Sequence, residues 1–132
     1  MKMVPDPDGR NADFYRHAAT GTLHLQRCRK CQHYYHPPRY LCRACGGDEL
    51  DFVSSEGRGR IFSWTVTHRP VDPAWAEEIP YVTLVAAMQE GVRLVGSFRG
   101  DAASLELERP VRAQLDVVSE AFARIVFELA ET

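Results

Sequence analysis

The feature that most constrains this 132-residue chain is the arrangement of its four cysteines. They form two Cys-x-x-Cys pairs, Cys28 with Cys31 and Cys42 with Cys45, and ten residues separate the pairs. Each pair makes a tight turn that presents two thiolates on one side, and two such turns complete a tetrahedral metal site. The spacing therefore predicts a zinc ribbon whose ligands are these four cysteines.

The same four thiolates indicate what the metal does. Catalytic zinc keeps an open coordination position, whereas four thiolates close the shell, so we expect a structural ion. Iron in a rubredoxin-like site would use the same ligands and stays open as an alternative. A thioredoxin-like redox centre needs only one pair and is disfavoured. With four cysteines sufficient, we expect no ligand among the histidines, which are His17, His24, His33, His36 and His68.

Basic residues surround the cysteines, while the rest of the chain is acidic. Residues 1–45 carry eight Lys or Arg against three Asp or Glu, and residues 46–132 carry eight against fifteen, giving net charges of +5 and −7. The basic run can offset the negative charge of a zinc tetrathiolate, contact a phosphate-bearing ligand, or contact nucleic acid. The acidic second part argues against a nucleic-acid-binding barrel.

Apolar runs in the sequence are short. None approaches the roughly 18 residues that a membrane helix needs. The first ten residues lack the apolar stretch of a secretory signal. Reduced Cys-x-x-Cys pairs also suit a reducing compartment. We therefore expect a cytoplasmic protein with no membrane association.

The part of the chain after the cysteines predicts an all-β domain. Its predicted strands are residues 61–68, 81–88, 92–98, 111–118 and 122–129. Alternation in the first strand places Phe62, Trp64 and Val66 on one face. Residues 101–108 begin with an N-cap residue and predict a short helix before Pro110. Five strands with a helix between the third and fourth follow the order of an OB-fold barrel.

Glycines mark two irregular points in these strands. Gly96 lies inside the third strand and predicts a bulge or a sharp barrel bend. The segment Gly57-Arg58-Gly59 precedes a strand, whereas a phosphate-binding loop would lead into a helix. We therefore predict a bulge at the entrance to the barrel.

Three aromatic residues are candidate contacts with a partner: Phe14, Tyr15 and Trp75. Asn11 can cap a short helix that contains the first two, and such a helix is unstable alone, so it must pack on this chain or on another one. Trp75 lies in the proline-stiffened connection 69–80, where it either caps the barrel or presents a hydrophobic contact.

Together these patterns predict a mainly β protein in three parts. They are an N-terminal helical segment at 1–22, a zinc ribbon at 23–56 and an OB-fold domain at 57–132. Spacing singles out no nucleophile, carboxylate pair or acid–base pair, so we expect no catalytic residue.

Four stretches of the sequence resemble a known family: "DFYRHAATGTLHLQRCRKC", "HPPRYLCRACGG", "GRGRIFSWTVTHRP" and "IPYVTLVAAMQEGVRLVGSF". These are similar to the zinc-ribbon plus OB-fold proteins that accompany acyl-CoA enzymes, long described as a domain of unknown function. The similarity extends over about residues 13–118. Its most specific parts are the four cysteines, Pro37-Pro38-Arg39, Gly57-x-Gly59 and Pro80-Tyr81.

The resemblance implies a function. Family members are partner subunits or fused domains of thiolase-like condensing enzymes, of aldolases, or of hot-dog-fold enoyl-CoA hydratases, and some serve sterol side-chain breakdown. It implies a non-catalytic subunit that shares an acyl-CoA ligand with its partner and binds structural zinc through Cys28, Cys31, Cys42 and Cys45. A stand-alone single-strand nucleic-acid-binding barrel and an independent acyl-CoA carrier stay open as other classes. Gln32 stands where the family commonly has glycine, which predicts a slightly strained first turn.

Overall fold

The computed structural model describes residues 4–130. Helix α1 spans Gly9–Ala18, and the strands are β1 His24–Cys28, β2 Tyr34–Tyr35, β3 Leu50–Ser54, β4 Arg58–Thr67, β5 Tyr81–Met88, β6 Arg93–Phe98, β7 Pro110–Val117 and β8 Ala123–Leu129. Two single 3-10 turns, Pro73–Trp75 and Ala102–Ser104, lie in the connections. Within these described residues, no helix has the length and apolar character that a bilayer crossing requires. The predicted mainly β fold is confirmed.

Helix α1 begins earlier than predicted. Asp8 is its N-cap residue, and the Ala12 N–H already donates to the Asp8 carbonyl at 3.2 Å. The Asn11 cap is therefore wrong, because Asn11 lies inside the first turn. Phe14 and Ala18, one turn apart, form the buried face of the helix.

A three-stranded antiparallel sheet in the order β2-β1-β3 follows the helix. Central strand β1 pairs with β3 over its whole length, from His24 opposite Ser54 to Cys28 opposite Leu50. The sheet therefore places the first cysteine at the end of its central strand.

The other five strands close into a barrel in the order β4-β5-β6-β8-β7. Neighbours are antiparallel except β6 and β8, which run parallel, and a short β4–β7 pairing completes the ring. The barrel interior contains Ile61, Leu84, Leu94 and Phe127, none of which is exposed to solvent. The predicted five-stranded OB-fold barrel is confirmed.

Strand β4 departs from its predicted alternation at Phe62. The β4–β5 register shifts between Ile61 and Ser63, so Phe62 has no partner residue on β5. An extra residue inverts the alternation that follows it. Ile61 accordingly points into the core, and Phe62 is 41% exposed. The prediction that Phe62 shares a face with Trp64 and Val66 is therefore wrong. The predicted bulge at residues 57–59 is also wrong, because the bulge lies at Phe62.

Strand β6 has no bulge at Gly96, which lies opposite Leu84 in an unbroken register with β5. A Cβ atom on Gly96 would lie 2.6 Å from the Ile125 carbonyl oxygen, well inside van der Waals contact. Glycine is thus needed here because β8 approaches the β6 backbone closely.

The segment 101–108 forms less helix than predicted. Asp101 caps it as expected, accepting a hydrogen bond from the Ala103 N–H at 2.9 Å. The helix is a single 3-10 turn, because Leu105 already has extended backbone angles.

One hydrophobic core joins the helix, the small sheet and the barrel. Phe14 from α1 and Leu25 from β1 pack in the same buried cluster as Ile61, Leu84 and Phe127. The division at residues 22 and 56 stays a prediction, and its outermost residues, 1–3 and 131–132, lie outside the described part of the chain.

Candidate metal centre and partner contacts

The four cysteine sulfurs converge on one point between the two turns. All four Sγ atoms lie within 4.8 Å of one another. The Cys28–Cys45 and Cys31–Cys42 separations are 3.6 Å and 3.3 Å. A zinc ion with Zn–S bonds of about 2.3 Å places tetrahedral sulfurs about 3.8 Å apart, whereas a disulfide would require about 2.05 Å. The donor set and its spacing fit a tetrahedral zinc ion.

The two Cys-x-x-Cys turns have matching backbone hydrogen bonds. Gln32 N–H donates to the Cys28 carbonyl at 3.0 Å, and Gly46 N–H donates to the Cys42 carbonyl at 2.9 Å. Each of these donors lies four residues after the first cysteine of its pair, and each has left-handed backbone, with φ of 69° and 74°. Gln32 therefore adopts a conformation that favours glycine. The predicted strain in the first turn is confirmed.

Hydrogen bonds within the ribbon favour the thiolate form of two cysteines. The Tyr35 hydroxyl lies 3.2 Å from Cys42 Sγ and accepts the Arg43 N–H at 2.9 Å. Donation from Tyr35 lowers the pKa of Cys42 to about 5 and raises that of Tyr35 itself. The backbone N–H of Cys31 lowers the pKa of the Cys28 thiol. Such donors stabilise a metal-binding thiolate and fix its direction.

Two of the basic residues near the metal centre, Arg29 and Arg39, have side-chain partners in this chain. Arg29 forms ion pairs of 2.9 Å with Glu49 and with Asp51, and it lowers the pKa of Asp51. The Arg39 guanidinium lies 5.5 Å from the centroid of the Tyr35 ring, on the residue that contacts Cys42. Arg29 is thus paired with carboxylates of this chain and not with the thiolates, and the role of the basic run stays a prediction.

Histidines do not join the sulfur cluster within residues 4–130. His33 Nδ1 lies 3.4 Å from Cys31 Sγ, so His33 is next to a ligand but is not part of the four-sulfur cluster. The His36 ring lies against Phe14, with the ring centroids 4.8 Å apart and the planes tilted by 45°, and burial lowers the pKa of His36 to about 4.

Gln26 is a site-supporting residue that the sequence did not reveal. Its amide is buried on β1, donates to the Arg39 carbonyl at 2.7 Å and accepts the Arg39 N–H at 2.7 Å. This pair of hydrogen bonds fixes the segment that leads into the second turn. A glutamine between Leu25 and Arg27 carries no sequence pattern that distinguishes such a role.

The three candidate partner contacts differ in exposure. Phe14 is 2% exposed and packs inside this chain. Tyr15 is half-buried, with its ring 4.8 Å from Phe122, and Trp75 is half-buried, 5.4 Å from Tyr81. Tyr15 and Trp75 are therefore the two that keep surface for a partner.

Comparisons with known proteins relate nearly the whole chain to one group. A family described as the rubredoxin-like zinc ribbon domain of ChsH2 matches residues 16–51, and one described as the C-terminal OB-fold domain of ChsH2 matches residues 52–116. A solved structure titled "Ltp2-ChsH2(DUF35) aldolase" is similar with a TM-score of 0.86 and 32% identity, over 97% of this chain and 100% of that one. The zinc-ribbon match and the sulfur cluster together confirm the predicted zinc cofactor.

Two curated relatives are longer than this chain. A probable enoyl-CoA hydratase alpha subunit of Thermomonospora curvata is 37% identical over 102 residues, which cover 76% of this chain and 31% of the relative. The 3-oxo-4,17-pregnadiene-20-carboxyl-CoA hydratase alpha subunit of Mycobacterium tuberculosis is 37% identical over 79 residues, which cover 59% and 25%. This chain thus spans a third or less of their length.

Proposed function

We propose that this chain, which belongs to the DUF35 family of ChsH2-type zinc-ribbon and OB-fold proteins, is a non-catalytic accessory subunit of an acyl-CoA enzyme. The partner we propose is a thiolase-like condensing enzyme or retro-aldolase. The observation that carries this proposal is the similarity, over nearly the whole chain, to the solved structure of the Ltp2-ChsH2(DUF35) aldolase.

The chemistry of the chain supports an accessory role. Within residues 4–130, the cysteine cluster is the one place where three or more potential metal ligands meet. Its four thiolates close the coordination shell of the ion. A closed shell offers no position for a substrate. We propose that carbon–carbon bond cleavage or formation takes place on the partner.

We propose that Cys28, Cys31, Cys42 and Cys45 bind one structural zinc ion. The ion would hold together two turns that bury little apolar surface of their own. Elemental analysis of the purified protein should give about one zinc per chain, and Cys42→Ser should lose it. Iron in place of zinc, or a folded protein without metal, would contradict this assignment.

We propose that Tyr15 and Trp75 contact the partner and that the assembled subunits share the acyl-CoA ligand. Tyr15 lies on α1, and Trp75 lies in a loop whose Val71 is fully exposed. Half-buried aromatic residues on fixed elements are the usual anchors of an interface. We propose no nucleic-acid partner, because residues 46–132 carry a net charge of −7.

A hot-dog-fold enoyl-CoA hydratase is a second candidate partner. Two relatives are named as alpha subunits of hydratases. One of these names specifies 3-oxo-4,17-pregnadiene-20-carboxyl-CoA as the substrate. We extend this to a proposed place in sterol side-chain degradation. Because metal binding by the four cysteines requires their thiols to be reduced, we also propose a cytoplasmic location.

Co-expression with the acyl-CoA enzymes encoded beside this chain is the test. We expect co-elution with a thiolase-like enzyme, and an active partner only when both chains are present. Tyr15→Ala or Trp75→Ala should each cost about 2 kcal/mol of association. Phe62→Ala, which removes an exposed aromatic ring on the barrel wall, is the matched control. Co-elution with a hydratase alone selects the second candidate, and a partner that is soluble and active without this chain excludes both.

A further inference from the structure

Three arginines of the barrel converge on a cleft outside the metal centre. The cleft has a volume of about 430 Å³ and lies where β4, β5 and β7 meet the end of β8, at Ala130. Its charged lining consists of Arg58, Arg60 and Arg112. Clefts of roughly 300–1,000 Å³ are the size that takes small-molecule ligands.

The strand register explains why the arginines are close. Arg58 on β4 lies directly opposite Arg112 on β7, and Arg60 lies two residues further along β4, opposite Pro110. Directly opposite residues have Cβ atoms roughly 5 Å apart, and like charges there destabilise a sheet. The barrel therefore keeps an arrangement that an anion would stabilise.

Few carboxylates of the described residues lie beside these three arginines. Arg58 contacts Glu56 at 3.1 Å, and Arg60 donates to the Glu108 carbonyl at 3.1 Å. Glu128 lies opposite Arg112 on β8, but its carboxylate binds Arg99 at 2.8 Å. Three guanidinium groups and one paired carboxylate leave the cleft positively charged.

The floor of the cleft is kept small and apolar. A Cβ atom on Gly59 would lie 2.9 Å from the Ala87 carbonyl oxygen and 2.9 Å from Met88 Sδ, so β4 packs directly on β5 at the bottom of the cleft, where the lining also includes Val111. Guanidinium groups bind phosphate oxygens in pairs, and an apolar floor accepts an uncharged ligand body.

We propose that this cleft binds a phosphorylated small molecule of nucleotide size, with its phosphates on Arg58, Arg60 and Arg112. The inference goes beyond the proposed accessory function, because association with a partner enzyme does not require this site. The backbone N–H groups of residues 57–59 are not the binding groups; the arginine side chains are.

Calorimetric titration of the zinc-loaded chain in phosphate-free buffer tests the site. The probes are inorganic pyrophosphate, adenosine 5′-diphosphate and unphosphorylated adenosine. We expect both phosphorylated probes to bind, the nucleotide more tightly, and adenosine not to bind. The paired change Arg58→Gln with Arg112→Gln should weaken both by at least about tenfold, and Arg112→Lys should weaken them by about threefold, because lysine keeps the charge and loses the paired bonds.

Two measurements separate loss of the site from loss of the fold. Arg124→Gln, which removes an arginine from β8 outside the cleft, should leave binding unchanged. Arg112→Gln should keep or raise the melting temperature of the free chain, since it relieves the opposed charges, and should abolish the rise in melting temperature that pyrophosphate gives. Equal binding by wild type and the paired variant overturns the proposal. So does binding of adenosine as tight as that of the diphosphate, or tighter binding of a thymidine oligonucleotide, which would assign the arginines to a nucleic-acid strand.

Discussion

Each zinc-binding turn contains one residue with left-handed backbone, and substitutions at these two residues should change zinc affinity in opposite directions. Gln32 and Gly46 occupy equivalent positions, with φ of 69° and 74°. Gln32→Gly removes an unfavourable backbone conformation, whereas Gly46→Ala introduces one. A Cβ atom on Gly46 would meet no atom within 4 Å, so only the backbone term changes.

The magnitudes follow from the backbone preferences. A left-handed conformation costs a non-glycine residue about 1–2 kcal/mol, and glycine costs roughly 0.5–1 kcal/mol through the entropy of the unfolded chain. Gln32 also donates from its side chain to the Arg29 carbonyl at 3.2 Å, an exposed bond of small value. We expect Gln32→Gly to stabilise the ribbon by about 0.5 kcal/mol and Gly46→Ala to destabilise it by about 1 kcal/mol.

Zinc affinity is the measurement, since metal binding and folding of the turns are one equilibrium. In competition with a chromogenic chelator, Gly46→Ala should weaken zinc binding about fivefold, and Gln32→Gly should tighten it about twofold. Gly91→Ala is the control: Gly91 has φ of 95° and open space around it, but it lies in the β5–β6 turn. It should lower the stability of the barrel and leave zinc affinity unchanged. Unchanged zinc affinity in Gly46→Ala, or equal weakening in both ribbon variants, would refute the backbone argument.

Three further predictions test the core and the surroundings of the metal centre. Gly96→Ala should destabilise the protein by about 2–3 kcal/mol in urea unfolding, because the new methyl group must displace the Ile125 carbonyl; a loss under 0.5 kcal/mol would contradict it. Tyr35→Phe should weaken zinc binding by about tenfold in the chelator assay, because the Cys42 thiolate loses its hydroxyl donor. His36 has a folded-state pKa lowered by burial to about 4, so the unfolded chain takes up its proton first as the pH falls below about 6.5. Stability should fall by about 1.3 kcal/mol through this group between pH 7.5 and pH 5.5, and His36→Gln should remove that part of the slope in urea titrations at the two pH values.

The sequence predicted those features that local chemistry determines. Cysteine spacing identified the metal centre, because a Cys-x-x-Cys turn needs nothing beyond its own residues. Alternation located the barrel strands to within a few residues, and strand β5 matches its prediction at both ends. Gln32 could be recognised as strained because a family position gave the comparison.

Features that depend on pairing between strands could not be predicted in this way. The bulge that turns Phe62 outward is a property of the β4–β5 register, and the close approach behind Gly96 is a property of β8. The arginine cleft is a third case. A net charge of −7 over residues 46–132 gives no sign of it, because Arg58 and Arg112 are 54 positions apart in sequence and become neighbours only through the β4–β7 pairing.

Strand β1 decides how far the effect of the metal reaches. It carries Leu25 in the core shared with the barrel and, three residues later, Cys28 in the sulfur cluster. The barrel core therefore holds one end of β1 whether or not zinc is bound, and the ion fixes the two turns beyond its other end. Tyr40 and Leu41, which are 64% and 56% exposed just before Cys42, belong to the part that zinc fixes. Tyr15 packs on Phe122 beside the barrel and belongs to the part that the core fixes. If the proposed partner binds mainly through Tyr15 and Trp75, removal of zinc weakens association only slightly, whereas strong zinc dependence of the complex would assign the interface to the exposed pair at the second turn.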